Sequence, residues 1–158
     1  MSTLIDYCTG LPVREFAAGE VILEENRKDG RCYVLKRGVV EISKRGTLIN
    51  RLSSAGSVLG EVAVLLDQSR AASVVAVEPT EAFEIEDGAR FFAARPELMG
   101  LVARLLARRL KNLTDEFVEL REQLETAVED ADEDEGVHVA TLNAVLRRLV
   151  DHHLDREF

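Results

Sequence analysis

Between about residue 13 and residue 86, apolar residues form short runs or alternate with polar ones, and glycines interrupt them. Runs of this length and period predict β-strands. Glycine turns such as Lys44-Arg45-Gly46-Thr47 are typical of antiparallel hairpins. Regularly spaced short strands favour a small barrel or jelly roll. The strands predicted in this way cover residues 16–23, 31–35, 39–43, 48–52, 73–77 and 81–85.

From Asp87 onward, the apolar spacing changes from that of strands to that of a helix. Pro96 suits the first turn of a helix, where its missing N–H costs little. Apolar residues then recur at alternating spacings of four and three, which is the a/d pattern of a coiled coil. This stripe predicts a homodimer, with packing of the helix on its own barrel as the alternative. The residues of the stripe are Leu106, Leu110, Leu113, Phe117, Leu120 and Leu124.

We expect three segments along the chain. Residues 1–95 form a β-roll with an N-terminal helical segment, residues 96–130 form the long helix, and residues 131–158 form an acidic linker and an amphipathic helix. The acidic residues from 129 to 135 are typical of a solvated helix end or linker. The last helix would dock on the barrel, on the long helix or on a partner. Its apolar face comprises Val139, Leu142, Val145, Leu146, Leu149 and Val150.

Composition and charge narrow the classes of function. The 158 residues carry a formal net charge of −9, which argues against a general binder of nucleic acids or anionic membranes. We find no signal peptide and no run long enough to span a membrane, so we expect a cytoplasmic protein. Cys8 and Cys32 are then expected to be free thiols. Nothing in the sequence has the spacing of metal ligands, and we expect no metal.

Two short motifs carry the candidate chemistry: Gly60-Glu61-Val62-Ala63 and Arg70-Ala71-Ala72-Ser73. A glutamate can accept hydrogen bonds from sugar hydroxyls, and an arginine can bind a phosphate through two N–H groups. Glycine and alanine let backbone amides approach an anion closely, and the N–H groups opening a helical turn at residues 61–66 could point at it. Together these groups suit a nucleotide whose phosphate folds against its ribose. In the alternative reading, Glu61 and Arg70 simply pair with each other.

Residues from about 13 to 124 resemble a cyclic nucleotide-binding domain. The cassette of that family reads Gly-Glu-hydrophobic-Ala and then Arg-Ala-Ala-Ser/Thr, and residues 60–63 and 70–73 match it position by position. The resemblance implies a mainly β fold with α-helices: an antiparallel β-roll or jelly-roll barrel flanked by helices, with a long C-terminal dimerisation helix. Further matches are Phe16-x-x-Gly19, Tyr33-Val34-Leu35, Gly38, Val40-x-Ile42, Pro96-Glu97-Leu98 and the Leu105 to Leu110 stretch.

The resemblance also implies roles for single residues. Glu61 would bind the ribose 2′-hydroxyl, Arg70 the cyclic phosphate, and the amides of Ala63 and Ala71 would complete the phosphate site. On the long helix, Leu113 and Thr114 would face the base, unless Thr114 is only an exposed helical residue. The candidate ligand-binding residues are Val58, Leu59, Gly60, Glu61, Val62, Ala63, Arg70, Ala71, Ala72, Ser73, Leu113 and Thr114.

Base preference follows from the residue after the arginine. Family members that prefer cyclic GMP often carry a hydroxyl there, whereas Ala71 favours cyclic AMP, although Ser73 offers a hydroxyl nearby. One departure from the family is Asn26, which replaces a glycine in a turn and tolerates a positive φ.

The expected function is a cyclic nucleotide receptor, with cyclic AMP preferred and cyclic GMP second, that signals through an unknown protein effector and is not an enzyme. The residues after 130 are too few for the family's DNA-binding domain, so we expect no DNA partner. The alternative is a structural oligomerisation module that retains a non-binding cassette.

Overall fold

The computed structural model describes residues 4–129 of the chain, with side chains up to residue 126. The predictions for the acidic linker and for the last amphipathic helix concern residues from 130 onward and lie outside the described residues. Among the described residues, the α-helices are α1 (Glu61–Leu65), α2 (Gly88–Ala93) and α3 (Met99–Glu129), and short 3₁₀ helices cover Leu4–Cys8 and Pro96–Leu98. The strands are β1 (Val13–Phe16), β2 (Val21–Leu23), β3 (Cys32–Arg37), β4 (Val40–Lys44), β5 (Thr47–Leu52), β6 (Val58–Leu59), β7 (Ser73–Ala76) and β8 (Thr80–Ile85).

The described strands form two four-stranded sheets, with strand orders β1-β8-β3-β6 and β2-β7-β4-β5, and each strand pair is antiparallel. One apolar cluster receives side chains from both sheets, and burying such a side chain stabilises the fold by about 1.5–3 kcal/mol. The predicted mainly β fold with a long C-terminal helix is therefore confirmed. The cluster contains Phe16, Ile22, Leu23, Tyr33, Leu35, Val40, Leu59, Val74, Ala76 and Ala82.

The structure corrects two details of the predicted strands. The single strand predicted over residues 16–23 is two strands, because Gly19 turns the chain with a φ of +84° and sends β1 and β2 into different sheets. Strand β6 was not predicted, since two residues are too short to show any period. The predicted hairpin turn is confirmed: Arg45 and Gly46 both have positive φ between β4 and β5.

The chain divides into two compact units, residues 1–103 and residues 104–158. In the first unit, Cys8 and Cys32 are buried free thiols, as predicted. In the second unit, three leucines of the predicted stripe are strongly exposed: Leu110 at 65%, Leu113 at 50% and Leu120 at 54%. The homodimer itself stays a prediction. In the described part of the chain, no helix is both long and apolar enough to cross a membrane.

Candidate functional site

Gly60 stands at the turn where β6 leads into α1, and its conformation decides what can lie beside it. Its φ of +87° is in the left-handed region that favours glycine. A Cβ added there would lie 3.0 Å from Nη1 of Arg70 and 3.0 Å from Cδ1 of Leu23. Glycine therefore allows the arginine to approach the backbone. Immediately before it, Val58 and Leu59 are buried on β6, which pairs with β3.

The guanidinium of Arg70 is held by the loop between β2 and β3, and its residue is only 4% exposed. Nη1 and Nη2 each donate a hydrogen bond to the carbonyl oxygen of Arg31 at 3.1 Å, and Nη2 also pairs with the carboxylate of Asp29. The same carboxylate accepts a hydrogen bond from the backbone N–H of Arg31 at 2.9 Å. Asp29 is therefore an ion partner of Arg70 that the sequence did not predict. The alternative in which Glu61 and Arg70 pair with each other stays open.

The backbone of Arg70 is fixed by the same loop. Its N–H donates to the carbonyl of Arg27 at 3.0 Å, and its carbonyl accepts from the N–H of Asn26 at 2.8 Å. Asn26 has a φ of +66°, so the positive φ expected of the glycine replacement is confirmed. Lys28 then ties the loop to the turn after α1, since its Nζ lies 2.8 Å from Oδ1 of Asp67. The loop therefore holds both the backbone and the guanidinium of Arg70.

One donor of this arginine has no hydrogen-bond partner. Among the described residues, Nε of Arg70 is buried and donates to nothing. Leaving a buried donor unsatisfied costs about 1–3 kcal/mol, and more for a charged group. Such an atom in a native site calls for an explanation, and binding of an ion or ligand is one of the few available. An anion placed against this edge of the guanidinium would satisfy it.

Glu61 begins α1 and is only 1% exposed, so the second chemical group of the cassette is buried as well. Its carboxylate affects the pKa of the neighbouring Cys32 thiol. Burial raises the pKa of Cys32 to about 12, the Glu61 carboxylate adds to the rise, and Arg70 opposes it. The structure therefore brings Glu61, Arg70 and Gly60 into one neighbourhood of the first unit.

The remaining cassette residues differ in exposure. Val62 and Ala71 are exposed, whereas Ala63 and Ala72 are half-buried. Oγ of Ser73 accepts a hydrogen bond from the N–H of Glu25 at 2.9 Å, so this hydroxyl ties the β2–β3 loop to β7. Contacts of these residues with a ligand stay predictions.

Leu113 and Thr114 lie on α3 in the second unit. The Thr114 hydroxyl donates to the carbonyl of Leu110 at 2.9 Å, which is an ordinary bond within a helix. Their predicted contact with the base is neither supported nor opposed by this geometry.

Sequence reasoning missed three parts of the site: Asp29, the carbonyl of Arg31, and Leu23 against Gly60. The pair Asp29-Gly30 is a turn signal in the sequence. Nothing local connects that turn with Arg70, which lies 41 positions later. The pairing of β2 with β7 brings the two segments together.

A family model described as cyclic nucleotide-binding domain matches residues 13–91 of the chain. The match covers half of the chain and includes the whole cassette. The chain belongs to the cyclic nucleotide-binding domain family.

This cyclic nucleotide-binding domain is similar to short segments of a protein kinase and of a protein kinase regulatory subunit. It is 37% identical over 62 residues to a cAMP-dependent protein kinase regulatory subunit of Yarrowia lipolytica, a match of 39% of the chain and 16% of the relative. It is 30% identical over 69 residues to the cGMP-dependent protein kinase egl-4 of Caenorhabditis elegans, 44% of the chain and 9% of the relative. The chain thus spans less than a fifth of either relative.

The fold also matches a solved structure, the catabolite activator protein of Thermus thermophilus, with a TM-score of 0.61 and 22% identity. That match covers 98% of the chain and 86% of the other. At this identity, it supports the fold of the cyclic nucleotide-binding domain and nothing finer.

Proposed function

We propose that this domain is a receptor for a cyclic nucleotide, cyclic AMP in preference to cyclic GMP, and that it regulates a protein partner. The observation that carries the proposal is the buried guanidinium of Arg70, whose Nε lacks a partner beside a glycine in the left-handed conformation. Family membership supports a cyclic nucleotide as the anion. Ala71, which offers no hydroxyl, supports cyclic AMP.

The ligand would be held from two sides. Arg70 would bind the cyclic phosphate through Nε, while Asp29 and the carbonyl of Arg31 keep the guanidinium in place. The amides of Ala63 and Ala71 would donate to the same phosphate. Glu61 would accept a hydrogen bond from the ribose 2′-hydroxyl. A cyclic phosphodiester suits this site because its anionic oxygen can accept the charge-assisted hydrogen bond that Nε of Arg70 offers.

The output would pass through protein contacts. One relative is a protein kinase and the other is a protein kinase regulatory subunit, and the matched segment is a small part of each. We therefore assign the domain a regulatory role without catalysis, in the cytoplasm, as a homodimer through the exposed stripe of α3. Ligand binding can change how the domain contacts its protein partner only if the ligand makes different contacts in two conformations of the domain.

A second candidate is a structural oligomerisation module whose cassette does not bind. The exposed leucines of α3 favour it, because a long apolar stripe is itself a reason to associate. The two candidates differ in one respect, namely whether the cassette binds a ligand.

Calorimetric titration with cyclic AMP tests the proposal. Arg70→Lys keeps a positive charge but removes Nε and the paired donors, and it should weaken binding by about 30-fold or more, since truncating a buried charge pair costs about 2–5 kcal/mol. Arg51→Ala is the matched control, because that exposed arginine pairs with Glu41 away from the cassette. If Arg70→Lys keeps its affinity for cyclic AMP and its melting temperature is unchanged, Arg70 does not bind the cyclic phosphate. No saturable binding by the wild-type protein would favour the oligomerisation module.

A further inference from the structure

Helix α3 carries its charges in two halves of opposite sign. Residues 99–112 contain four cationic side chains and no carboxylate, whereas residues 113–126 contain five carboxylates and one cation. The dipole of a helix favours the opposite order, with carboxylates at the N-terminal end and cations at the C-terminal end, so it does not account for this distribution. The cations of the first half are Arg104, Arg108, Arg109 and Lys111, and the carboxylates of the second half are Asp115, Glu116, Glu119, Glu122 and Glu125.

The apolar stripe of α3 determines which of these charges would flank a helix packed against it. In heptad notation, the stripe residues occupy d and a positions in turn, beginning with Leu106 at d and Leu110 at a. The g positions, each just before an a residue, hold Arg109 and Glu116, and the e position after Leu120 holds Arg121. Charges at g and e positions set the orientation and the partner of a coiled-coil helix.

An antiparallel pair of α3 helices brings opposite charges together. Reversing one helix places g positions beside g positions and packs a residues against d residues. If Leu110 packs against the partner's Leu113, Arg109 lies beside the partner's Glu116, and two-fold symmetry repeats the contact. The basic half of each helix then lies along the acidic half of the other. A shift of one heptad would place two copies of Glu116, or two copies of Arg109, side by side, so the same charges also select the register.

A parallel pair uses these charges less well. It places each residue near the same residue of the partner, so the two basic halves meet each other and the two acidic halves do the same. Its flanking contacts would be Arg109 with the partner's Thr114, which carries no charge, and Glu116 with the partner's Arg121. Arg121 already donates to Oε1 of Glu125 in its own helix, at 2.8 Å. The parallel order therefore combines one attractive contact with repulsion along both halves.

We propose that the apolar stripe of α3 binds a second copy of this chain in the antiparallel orientation, with Leu110 against the partner's Leu113 and Arg109 beside the partner's Glu116. The inference rests on the homodimer in the proposed function and deepens it by assigning an orientation and a register. Exposed leucines, 65% for Leu110 and 50% for Leu113, supply apolar surface to bury. The charges disfavour the competing arrangements.

Sedimentation equilibrium of the full chain at low ionic strength tests the flanking charges, because exposed charges are least screened there. Arg109→Glu should raise the Kd of the dimer about tenfold, since two ion pairs become two like-charge contacts. Arg121→Glu is the matched control: it makes the same charge change on the same helix, away from the proposed contacts, and should not raise the Kd. Combining Arg109→Glu with Glu116→Arg exchanges the two charges and should recover most of the affinity.

A distance measurement tests the orientation directly. A spin label on Gln123→Cys reacts selectively, because the native thiols of Cys8 and Cys32 are buried. At a rise of 1.5 Å per residue, the two labels of the proposed dimer would lie about 35 Å apart along the helices. In a parallel pair, with helix axes 8–10 Å apart, they would lie within about 20 Å of each other.

The outcomes separate this inference from the proposed function. A dimer that Arg121→Glu weakens and Arg109→Glu does not, or that gives the short label distance, is parallel; it overturns the inference and leaves the proposed homodimer standing. A wild-type chain that stays monomeric overturns the inference and the homodimer together. Neither result bears on cyclic AMP binding, which the titration of Arg70→Lys tests separately.

Discussion

Among single residues, Arg70 shows most clearly how the site is prepared. A buried guanidinium needs compensation, and Asp29 and the carbonyl of Arg31 supply it on one side only. Among the described residues, the buried Nε has no hydrogen-bond partner, and we propose that it binds the ligand. The arginine is therefore fixed in position without being fully satisfied, which is a suitable arrangement for a binding group.

Gly60→Ala should damage both the fold and the ligand site. Alanine in the left-handed region costs about 1–2 kcal/mol, and here its Cβ would also press on Arg70 and Leu23. Gly46→Ala is the control, because Gly46 has a similar φ of +78° and open space around the added Cβ. In urea unfolding, we expect Gly60→Ala to lose at least about 1 kcal/mol more than Gly46→Ala. Only Gly60→Ala should weaken cyclic AMP binding, and equal behaviour of the two variants would contradict the packing argument.

The strands that could be predicted from the sequence are those whose own residues show an alternating or continuous apolar pattern. Strands β3, β4, β5, β7 and β8 alternate or run apolar, so their existence followed from periodicity. The split at Gly19 was missed because one glycine inside an apolar run does not reveal that the strands on its two sides join different sheets. The cassette was visible as a motif, but the loop that holds Arg70 was not, since its contacts depend on long-range strand pairing.

Helices α1 and α2 meet at Gly88, which begins α2. A Cβ added to Gly88 would lie 2.9 Å from Cγ2 of Val64 on α1 and 3.0 Å from Sγ of Cys32. Gly88→Ala should therefore lower the free energy of unfolding by about 1–3 kcal/mol through overpacking, despite the higher helix propensity of alanine.

The double variant Gly88→Ala with Val64→Ala provides the control for this prediction. Truncating Val64 removes the closest clashing atom, so the combined loss in a thermal or urea unfolding experiment should be smaller than the sum of the two single losses. Strictly additive losses would mean that Gly88 and Val64 do not press on each other.

For the whole molecule, the cassette of the first unit and the apolar stripe of the second are separate features with separate tests. The relatives use the matched domain as a small part of much longer proteins. Membership in the family therefore establishes the kind of domain, while assembly has to be measured on this chain.

Leu113→Asp should weaken the proposed homodimer. A charge in the middle of an apolar interface would have to be desolvated without a partner. Asn112→Asp adds the same charge at the adjacent exposed position, off the stripe, and should leave association unchanged. Sedimentation equilibrium at several concentrations measures the effect. A wild-type chain that remains a monomer, or two variants that dissociate alike, would contradict a dimer through α3.

The contacts that hold Arg70 have a further consequence for how the chain folds. They join residues 39 and 41 positions apart in the sequence, and the chain must close a long loop before either contact exists. Contacts of this kind form slowly compared with helices and hairpins. Recovery of ligand binding during refolding should therefore lag behind recovery of helical signal, which makes the ligand a reporter of the last step of assembly.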